Sequence, residues 1–198
     1  EIVVVDEGTI AARGTHDGQP IGRMVPTNIA PPPADLVADP RVEARTGPLL
    51  TQTDALKTEA FDGVFHLASA VSGECEADFD LGMRSNLDAT RGLLEAARRA
   101  GHAPVFVFSS SVAVFGDSPE QRLPAVIEDT TLPTPQNSYG IKMLIGGKRV
   151  ADFTRKGFVR GRNVRLMPVS VRPGRPNGAA SSFLSGMRRE PLAGERAR

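Results

Sequence analysis

The chain has 198 residues, enough for one domain, or for one domain and the start of a second, with a substantial core. Its hydrophobic fraction of 40% and charged fraction of 24% are ordinary for a globular protein and argue against disorder. A formal net charge of +1 excludes a strong electrostatic footprint for nucleic acid or anionic membranes, so we expect neither as a partner.

Other general features narrow the class further. No apolar run approaches the roughly 20 residues that cross a bilayer. The single cysteine, Cys75, has no internal disulfide partner, which favours a cytoplasmic protein. The chain opens on an apolar run at residues 2–5 without a preceding cationic segment, so we expect no leader sequence. We expect no metal site.

Short apolar runs rich in β-branched residues or phenylalanine are typical of strands that are buried on both faces. They lie at residues 2–5, 64–67, 105–108 and 169–171, and a further strand is expected near residues 23–28. Residues 8–23 lack the periodicity of the long helix that usually follows a first strand. Residues 31–40 begin with three prolines and predict a surface loop.

Helical patterns alternate with these strands. Residues 81–100 carry an apolar face and end before Gly101, and a second helix is expected from Asn137 or Ser138 to about Lys156, before Gly157. Alternating buried strands and helices predict an α/β fold, a Rossmann-type doubly wound parallel sheet.

The most informative residues are three serines and a tyrosine. Ser109, Ser110 and Ser111 follow the strand at 105–108, so their hydroxyls emerge at the carboxyl end of a strand, where open α/β sheets bind ligands. Tyr139 begins a helix 28 residues after Ser111. A phenol whose pKa is lowered from about 10 by a nearby cation can take a proton from an alcohol near neutral pH. A serine can hold the same substrate oxygen.

This pairing, with Ser-Val-Ala-Val-Phe-Gly at 111–116 and Asn-Ser-Tyr-Gly at 137–140, resembles the extended short-chain dehydrogenase/reductase family of NAD-dependent epimerases and dehydratases. The resemblance implies that Ser111 positions the reacting hydroxyl, that Tyr139 removes its proton, and that a lysine lowers the pKa of the phenol. The family places this lysine four residues after the tyrosine, where Met143 stands here. We assign the role to Lys142, one position earlier; the alternative is that Lys142 is a solvated helix charge.

The resemblance also implies a nicotinamide cofactor, NAD, with NADP as the alternative. The residues that it assigns to the cofactor are Gly8, Asn28, Leu67, Ala68, Ser109, Tyr139, Lys142 and Pro173. Two of these positions depart from the family. Gly8 and Gly14 have the wrong spacing for the usual glycine-rich turn, and Asn28 replaces the acid that accepts hydrogen bonds from the adenosine ribose. Asn86 is expected to help hold the active-site strand, and His66 to be a core or loop histidine.

Residues 71–82 and 171–194 resemble the D-erythronate dehydrogenases more narrowly, which implies a small sugar acid as substrate. The residues that we assign to the substrate by position are Ser72, Ser111, Arg172, Asn177 and Ser181. An arginine suits the carboxylate because its planar fork can donate two parallel hydrogen bonds.

We therefore expect an NAD(P)-binding Rossmann domain at residues 1–174 and the beginning of an incomplete substrate-binding lobe at residues 175–198. The expected activity is NAD-dependent oxidation of a sugar-acid hydroxyl by hydride transfer. The alternatives are a nucleotide-sugar epimerase or dehydratase, a catalytically degenerate nucleotide-binding protein, and, with least support, a basic interaction module around Arg160, Arg162 and Arg165. The family also implies a homodimer formed through the helices at 81–100 and 137–156.

Overall fold

A computed structural model of the chain describes residues 2–5, 15–16, 19–168, 179 and 182–196. The described strands form a six-stranded sheet in which every neighbouring pair runs parallel. In spatial order they are β5 (Arg45–Thr46), β4 (Met24–Asn28), β1 (Ile2–Val5), β6 (Gly63–His66), β7 (Val105–Ser111) and β8 (Arg160–Leu166). A separate antiparallel ribbon pairs β2 (Thr15–His16) with β3 (Gln19–Pro20).

Helices connect the strands of the sheet. They are α1 (Ala34–Val37), α2 (Leu49–Leu56), α3 (Ser72–Ala77), α4 (Phe79–Gly82), α5 (Ala89–Ala100), α6 (Ser138–Arg155) and α7 (Ser182–Leu192). A π-helical stretch, Met83–Asp88, joins α4 to α5, and a 3-10 turn, Val112–Val114, follows β7. None of the described helices combines the length and apolarity needed to cross a membrane.

The strand order places a topological switch point at β1. The chain runs outward from β1 to β4 and β5, returns to β6 on the other side of β1, and continues to β7 and β8. Such a reversal leaves a crevice at the carboxyl ends of the central strands, which is where open α/β sheets bind ligands. The predicted doubly wound α/β fold is confirmed.

The core lies between the sheet and helices α5 and α6. Phe106 and Phe108 occupy alternate positions of β7 and are buried completely, together with Leu94 from α5 and Met143 from α6. Helix α5 ends at Gly101, whose positive φ of 79° suits a residue without a Cβ.

Helix α6 approaches the sheet closely because two adjacent glycines face it. A Cβ on Gly146 would lie 2.7 Å from Cζ of Phe108, and a Cβ on Gly147 would lie 2.5 Å from Nδ2 of Asn163. These contacts explain how a helix with few large apolar residues still packs tightly on β7 and β8.

The structure corrects several expectations. The helix predicted at 81–100 begins at Phe79 and is interrupted by the π-helical stretch. The loop predicted at 31–40 contains the one-turn helix Ala34–Val37. The outermost described strand on the β7 side is Arg160–Leu166, which carries the three arginines of the basic segment and for which no strand was predicted. The strand predicted at 169–171 lies outside the described residues, and so does the domain boundary predicted at residue 174.

Candidate active site and cofactor pocket

Two cavities open near the carboxyl ends of the parallel strands. The first, which we call the β7 cavity, has a volume of about 370 Å³. The second, the β4 cavity, has a volume of about 390 Å³. The loop after β6 contributes to the β4 cavity through Ala68 and Ser69 and leads directly to Val71 and Ser72 in the β7 cavity.

The β7 cavity brings together residues from five separate segments. Its lining comprises Val71, Ser72, Ser109, Ser110, Ser111, Val112, Ala113, Asn137, Tyr139, Leu166, Met167, Pro168 and Ala179. Four of the predicted site residues, from the start of α3, the end of β7 and the start of α6, therefore share one cavity. They are Ser72, Ser109, Ser111 and Tyr139.

Because side chains alternate between the two faces of a strand, the three serines of β7 do not all face the same side. Ser110 faces the core, is 3% exposed, and its hydroxyl lies 3.5 Å from the carbonyl oxygen of Met143, to which it donates. Ser109 and Ser111 are half-buried on the opposite side. Oγ of Ser111 accepts a hydrogen bond from the backbone N–H of Ala113 at 3.1 Å, so its own proton remains available to a ligand.

The first turn of α6, which carries Tyr139, packs against the turn that follows Ser111. Asn137 caps this helix, since its Oδ1 accepts a hydrogen bond from the N–H of Gly140 at 2.7 Å. Gly140 lies so close to the turn after β7 that a Cβ would overlap the carbonyl oxygen of Ala113. Backbone contact therefore holds the helix turn that carries Tyr139 against the turn after Ser111, and both residues line the β7 cavity.

Lys142 is buried, with an exposed fraction of 3%, and is not the solvated charge that one alternative predicted. Its ammonium group hydrogen-bonds to the hydroxyl of Ser138, lies 3.4 Å from the carbonyl oxygen of Ser138, and sits 4.3 Å from the centre of the Phe79 ring. It does not line the β7 cavity. Met143 faces the core and is 1% exposed. The cation is therefore bonded to the residue that precedes Tyr139.

Asn86 holds the loop that separates the two cavities. Its Oδ1 accepts from the N–H of Ala70 at 2.7 Å, and its Nδ2 donates to the carbonyl oxygen of the same residue at 2.9 Å. The side chain is completely buried. Nδ2 also lies 3.4 Å from Sγ of Cys75, whose thiol has a raised pKa because it is buried. Asn86 was expected to help hold the active-site strand; its two bonds instead hold the loop after β6, and a role at the site stays a prediction.

His66 lies in the core behind this loop, as expected. Its Nε2 lies 2.8 Å from Oγ1 of Thr90, which in turn donates to the carbonyl oxygen of Asn86 at 2.7 Å. The threonine oxygen therefore accepts from His66, which places the ring proton on Nε2. Burial lowers the pKa of His66 to about 4, so the ring is neutral at ordinary pH.

The β4 cavity has apolar walls and small polar groups. Its lining comprises Thr27, Asn28, Ile29, Gly47, Pro48, Leu49, Leu50, Thr51, Ala68, Ser69, Leu81, Arg84, Ser85 and Ala89. Asn28 and Ala68 were predicted to contact the cofactor. Leu67, predicted with them, packs instead against Ile21 and Met24. Sequence reasoning missed Thr27, Ser69, Arg84 and Ser85, because their proximity depends on how the helices cross the sheet edge.

Comparison with known proteins decides the family. Residues 35–197 match the model of the NAD dependent epimerase/dehydratase family. The chain belongs to this family. It is 50% identical over 190 residues to a D-erythronate dehydrogenase of Cupriavidus necator, covering 92% of this chain and 56% of that protein. It is 47% identical over 159 residues to a D-erythronate dehydrogenase of Haemophilus influenzae, covering 79% and 49%.

Among solved structures, the chain resembles a nucleoside-diphosphate-sugar epimerase from Agrobacterium tumefaciens. The TM-score is 0.84 at 37% identity, and the match covers 99% of this chain and 60% of that one. The chain thus spans about half the length of the D-erythronate dehydrogenases that it matches.

The described residues of this family member fit the adenosine part of a dinucleotide. Leu49, Leu50 and Leu81 offer an apolar wall for an adenine ring. Thr27 is 2% exposed, and its Oγ1 has no hydrogen-bond partner in the described chain, so a ligand could satisfy it. Several predicted site residues lie outside the described part of the chain: Gly8, Arg172, Pro173, Asn177 and Ser181.

Proposed function

We propose that this chain is the nucleotide-binding part of an NAD-dependent dehydrogenase that oxidises a hydroxyl group of a small sugar acid such as D-erythronate. The observation that carries the proposal is the shared β7 cavity of Ser111 and Tyr139. The two relatives named as D-erythronate dehydrogenases, at 50% and 47% identity, support the substrate class.

In this mechanism Ser111 and Tyr139 act on the same substrate oxygen. The Ser111 hydroxyl donates a hydrogen bond to that oxygen and fixes its position, while the phenolate of Tyr139 takes the hydroxyl proton. A nicotinamide cofactor, when bound, would supply the acceptor for the hydride of the carbon that carries this oxygen. The products are a carbonyl group and a protonated Tyr139.

Lys142 would act through Ser138 rather than by direct contact. Its buried ammonium group is bonded to Ser138, the residue before Tyr139, so the positive charge stands behind the first turn of α6. Through this bond the lysine would fix the position of the first turn of α6 and, with it, of Tyr139. We infer that this is how the lysine contributes, although it stands one position earlier than the family pattern requires.

The substrate would lie over Ser111, with Ser72 at the side of the cavity. The assignment of Arg172, Asn177 and Ser181 to the carboxylate remains a prediction. The homodimer also remains a prediction; the exposed side chains of Ile141 and Ile145 on the outer face of α6 would suit such an interface.

A nucleotide-sugar epimerase is the second candidate, because the Agrobacterium tumefaciens structure named as such is 37% identical. The two activities differ in outcome. A dehydrogenase gains reduced cofactor in step with product, whereas an epimerase returns the cofactor to its starting state. A catalytically degenerate binder would bind nucleotide without turning over either substrate.

The test uses purified full-length protein with NAD and D-erythronate, and follows the absorbance of the reduced cofactor. We expect turnover, and a loss of at least about a hundredfold in kcat for both Tyr139→Phe and Ser111→Ala. Ser118→Ala, in the loop beyond the cavity, serves as the control and should keep normal kcat. Turnover of a nucleotide sugar without net reduction would favour the epimerase. Unchanged kcat in Tyr139→Phe would reject the assigned chemistry.

A further inference from the structure

We propose that the β4 cavity binds an adenosine that carries a 2′-phosphate, so that the protein takes NADP about as readily as NAD. The inference rests on the proposed function, because it concerns the dinucleotide that the dehydrogenase would use. It deepens that function by assigning cofactor selectivity to Asn28 and Arg84.

Asn28 occupies the position whose side chain contacts the adenosine ribose in doubly wound dinucleotide-binding sheets. It is the last residue of β4, the strand next to β1, and it is half-buried in the wall of the β4 cavity. In doubly wound dinucleotide-binding sheets, an acid at the end of the second strand accepts hydrogen bonds from the ribose 2′-hydroxyl. A carboxylate there also repels a 2′-phosphate. The amide of Asn28 removes that repulsion and can donate a hydrogen bond to a phosphate oxygen.

Among the described residues, the rest of the lining carries a positive charge and no negative charge. None of the described residues that line the β4 cavity is an aspartate or a glutamate, and one, Arg84, is an arginine. A doubly charged phosphate would therefore enter a cavity whose only formal charge, within the described lining, is favourable.

Arg84 is suited to receive that phosphate. Its side chain is exposed, projects from the π-helical stretch beside the cavity, and is bonded to no carboxylate among the described residues. A guanidinium group binds phosphate through parallel N–H donors.

Thr27 independently supports the binding of a polar ligand at this end of the cavity. Its Oγ1 is buried and has no partner in the described chain, directly beside Asn28. Buried hydroxyl groups are normally hydrogen-bonded, so an oxygen-rich ligand at this point would supply the hydrogen bond that Thr27 lacks in the described chain.

Binding, rather than turnover, tests the inference. Isothermal titration of full-length protein should give dissociation constants for NAD and NADP within about tenfold of each other. AMP and adenosine 2′,5′-bisphosphate contain only the adenosine ends of NAD and NADP. Their dissociation constants should likewise lie within about tenfold of each other. Asn28→Asp should weaken NADP at least tenfold, equivalent to about 1.4 kcal/mol, without weakening NAD.

Arg84→Gln should weaken NADP and adenosine 2′,5′-bisphosphate several-fold, while NAD and AMP keep their affinities. The matched control is Arg91→Gln, since Arg91 is an exposed arginine of α5 that does not line the cavity. It should leave both dinucleotides unaffected. Raising the salt concentration should weaken NADP more than NAD, because screening acts on the additional phosphate.

The outcomes separate this inference from the proposed function. NAD binding with NADP more than a hundredfold weaker overturns the inference and leaves the dehydrogenase proposal standing. An unchanged ratio of NADP to NAD affinity in both Asn28→Asp and Arg84→Gln also overturns it. Folded full-length protein that binds neither dinucleotide overturns both.

Discussion

The two cavities at the carboxyl edge of the sheet are built in different ways. The β7 cavity is shaped by backbone packing, because Gly140 leaves no space for a Cβ beside Ala113. The β4 cavity is shaped by side chains, among them Asn28 and Arg84, which a substitution can change without moving the backbone. The position of Ser111 relative to Tyr139 is therefore a property of the fold, whereas cofactor selectivity depends on individual residues.

The largest expected effect is at the loop that both cavities share. Asn86→Ala leaves the N–H and the carbonyl oxygen of Ala70 without their side-chain partner in a buried site. Each unsatisfied group costs about 1–3 kcal/mol, so we expect a loss of about 4 kcal/mol in the free energy of unfolding, measured by urea titration. At low pH, where a buried carboxyl group is protonated, Asn86→Asp keeps an acceptor and also supplies a donor, so it should lose less there than Asn86→Ala. Equal losses for the two variants would contradict the paired bond.

Gly140→Ala tests whether packing sets the β7 cavity. The added Cβ overlaps the carbonyl oxygen of Ala113, and overpacking of this kind costs about 3 kcal/mol. We expect a lower urea midpoint together with reduced kcat, since the first turn of α6 must move. Gly22→Ala is the control, because nothing lies within 4 Å of a Cβ at that position. If the two variants unfold at the same midpoint, the tight contact at Gly140 is not a determinant of the site.

His66 provides a pH-dependent test of the buried wall behind the loop. Because burial lowers its pKa from 6.5 to about 4, the unfolded chain binds a proton that the folded chain does not bind between these values. The free energy of unfolding should therefore fall as the pH decreases from about 6.5 to 4, by on the order of 2–3 kcal/mol. Above about pH 6.5 this residue contributes no pH dependence. His66→Gln should remove this part of the slope; an unchanged pH profile would argue against a neutral buried ring.

The smallest effect is expected at the ion pairs beside the β4 side of the sheet. Arg45 bonds to Glu59 at 2.8 Å and also to Glu43, in a half-buried to exposed setting. Pairs of this kind contribute less than about 1 kcal/mol and weaken in salt. Arg45→Met should lower the free energy of unfolding by no more than that in low salt, and by less in high salt. A loss above 2 kcal/mol in the free energy of unfolding would show that these ion pairs stabilise the fold about as strongly as the packing at the β7 cavity does.

Local patterns predicted much of this arrangement. Buried strand runs located β1, β6 and β7 within a few residues, and the serines at the end of a strand with a tyrosine at a helix start predicted the β7 cavity. These features are readable because each depends on a short stretch of chain. Asn28 was also located in this way, at the end of a predicted strand.

Features that depend on packing between distant segments were not predictable. The sequence shows that Lys142 stands one position before the lysine of the family pattern, but only the neighbouring Phe79 and Gly82 show why the lysine is buried there. Strand β8 carries three arginines and no apolar alternation, and it forms because β7 offers a free edge. Arg84 reaches the β4 cavity through a helical distortion that has no periodic signature.

That distortion, the π-helical stretch Met83–Asp88, also affects how insertions and deletions act on the chain. Because π-helical hydrogen bonds close a wider ring than α-helical ones, the stretch accommodates one residue more than regular winding would. Removing a single residue there would let the backbone return to regular winding with α5 still in phase with the sheet. The same deletion would turn the amide of Asn86 away from Ala70 and release the loop between the cavities. The surplus residue is thus needed for the site and dispensable for the helix.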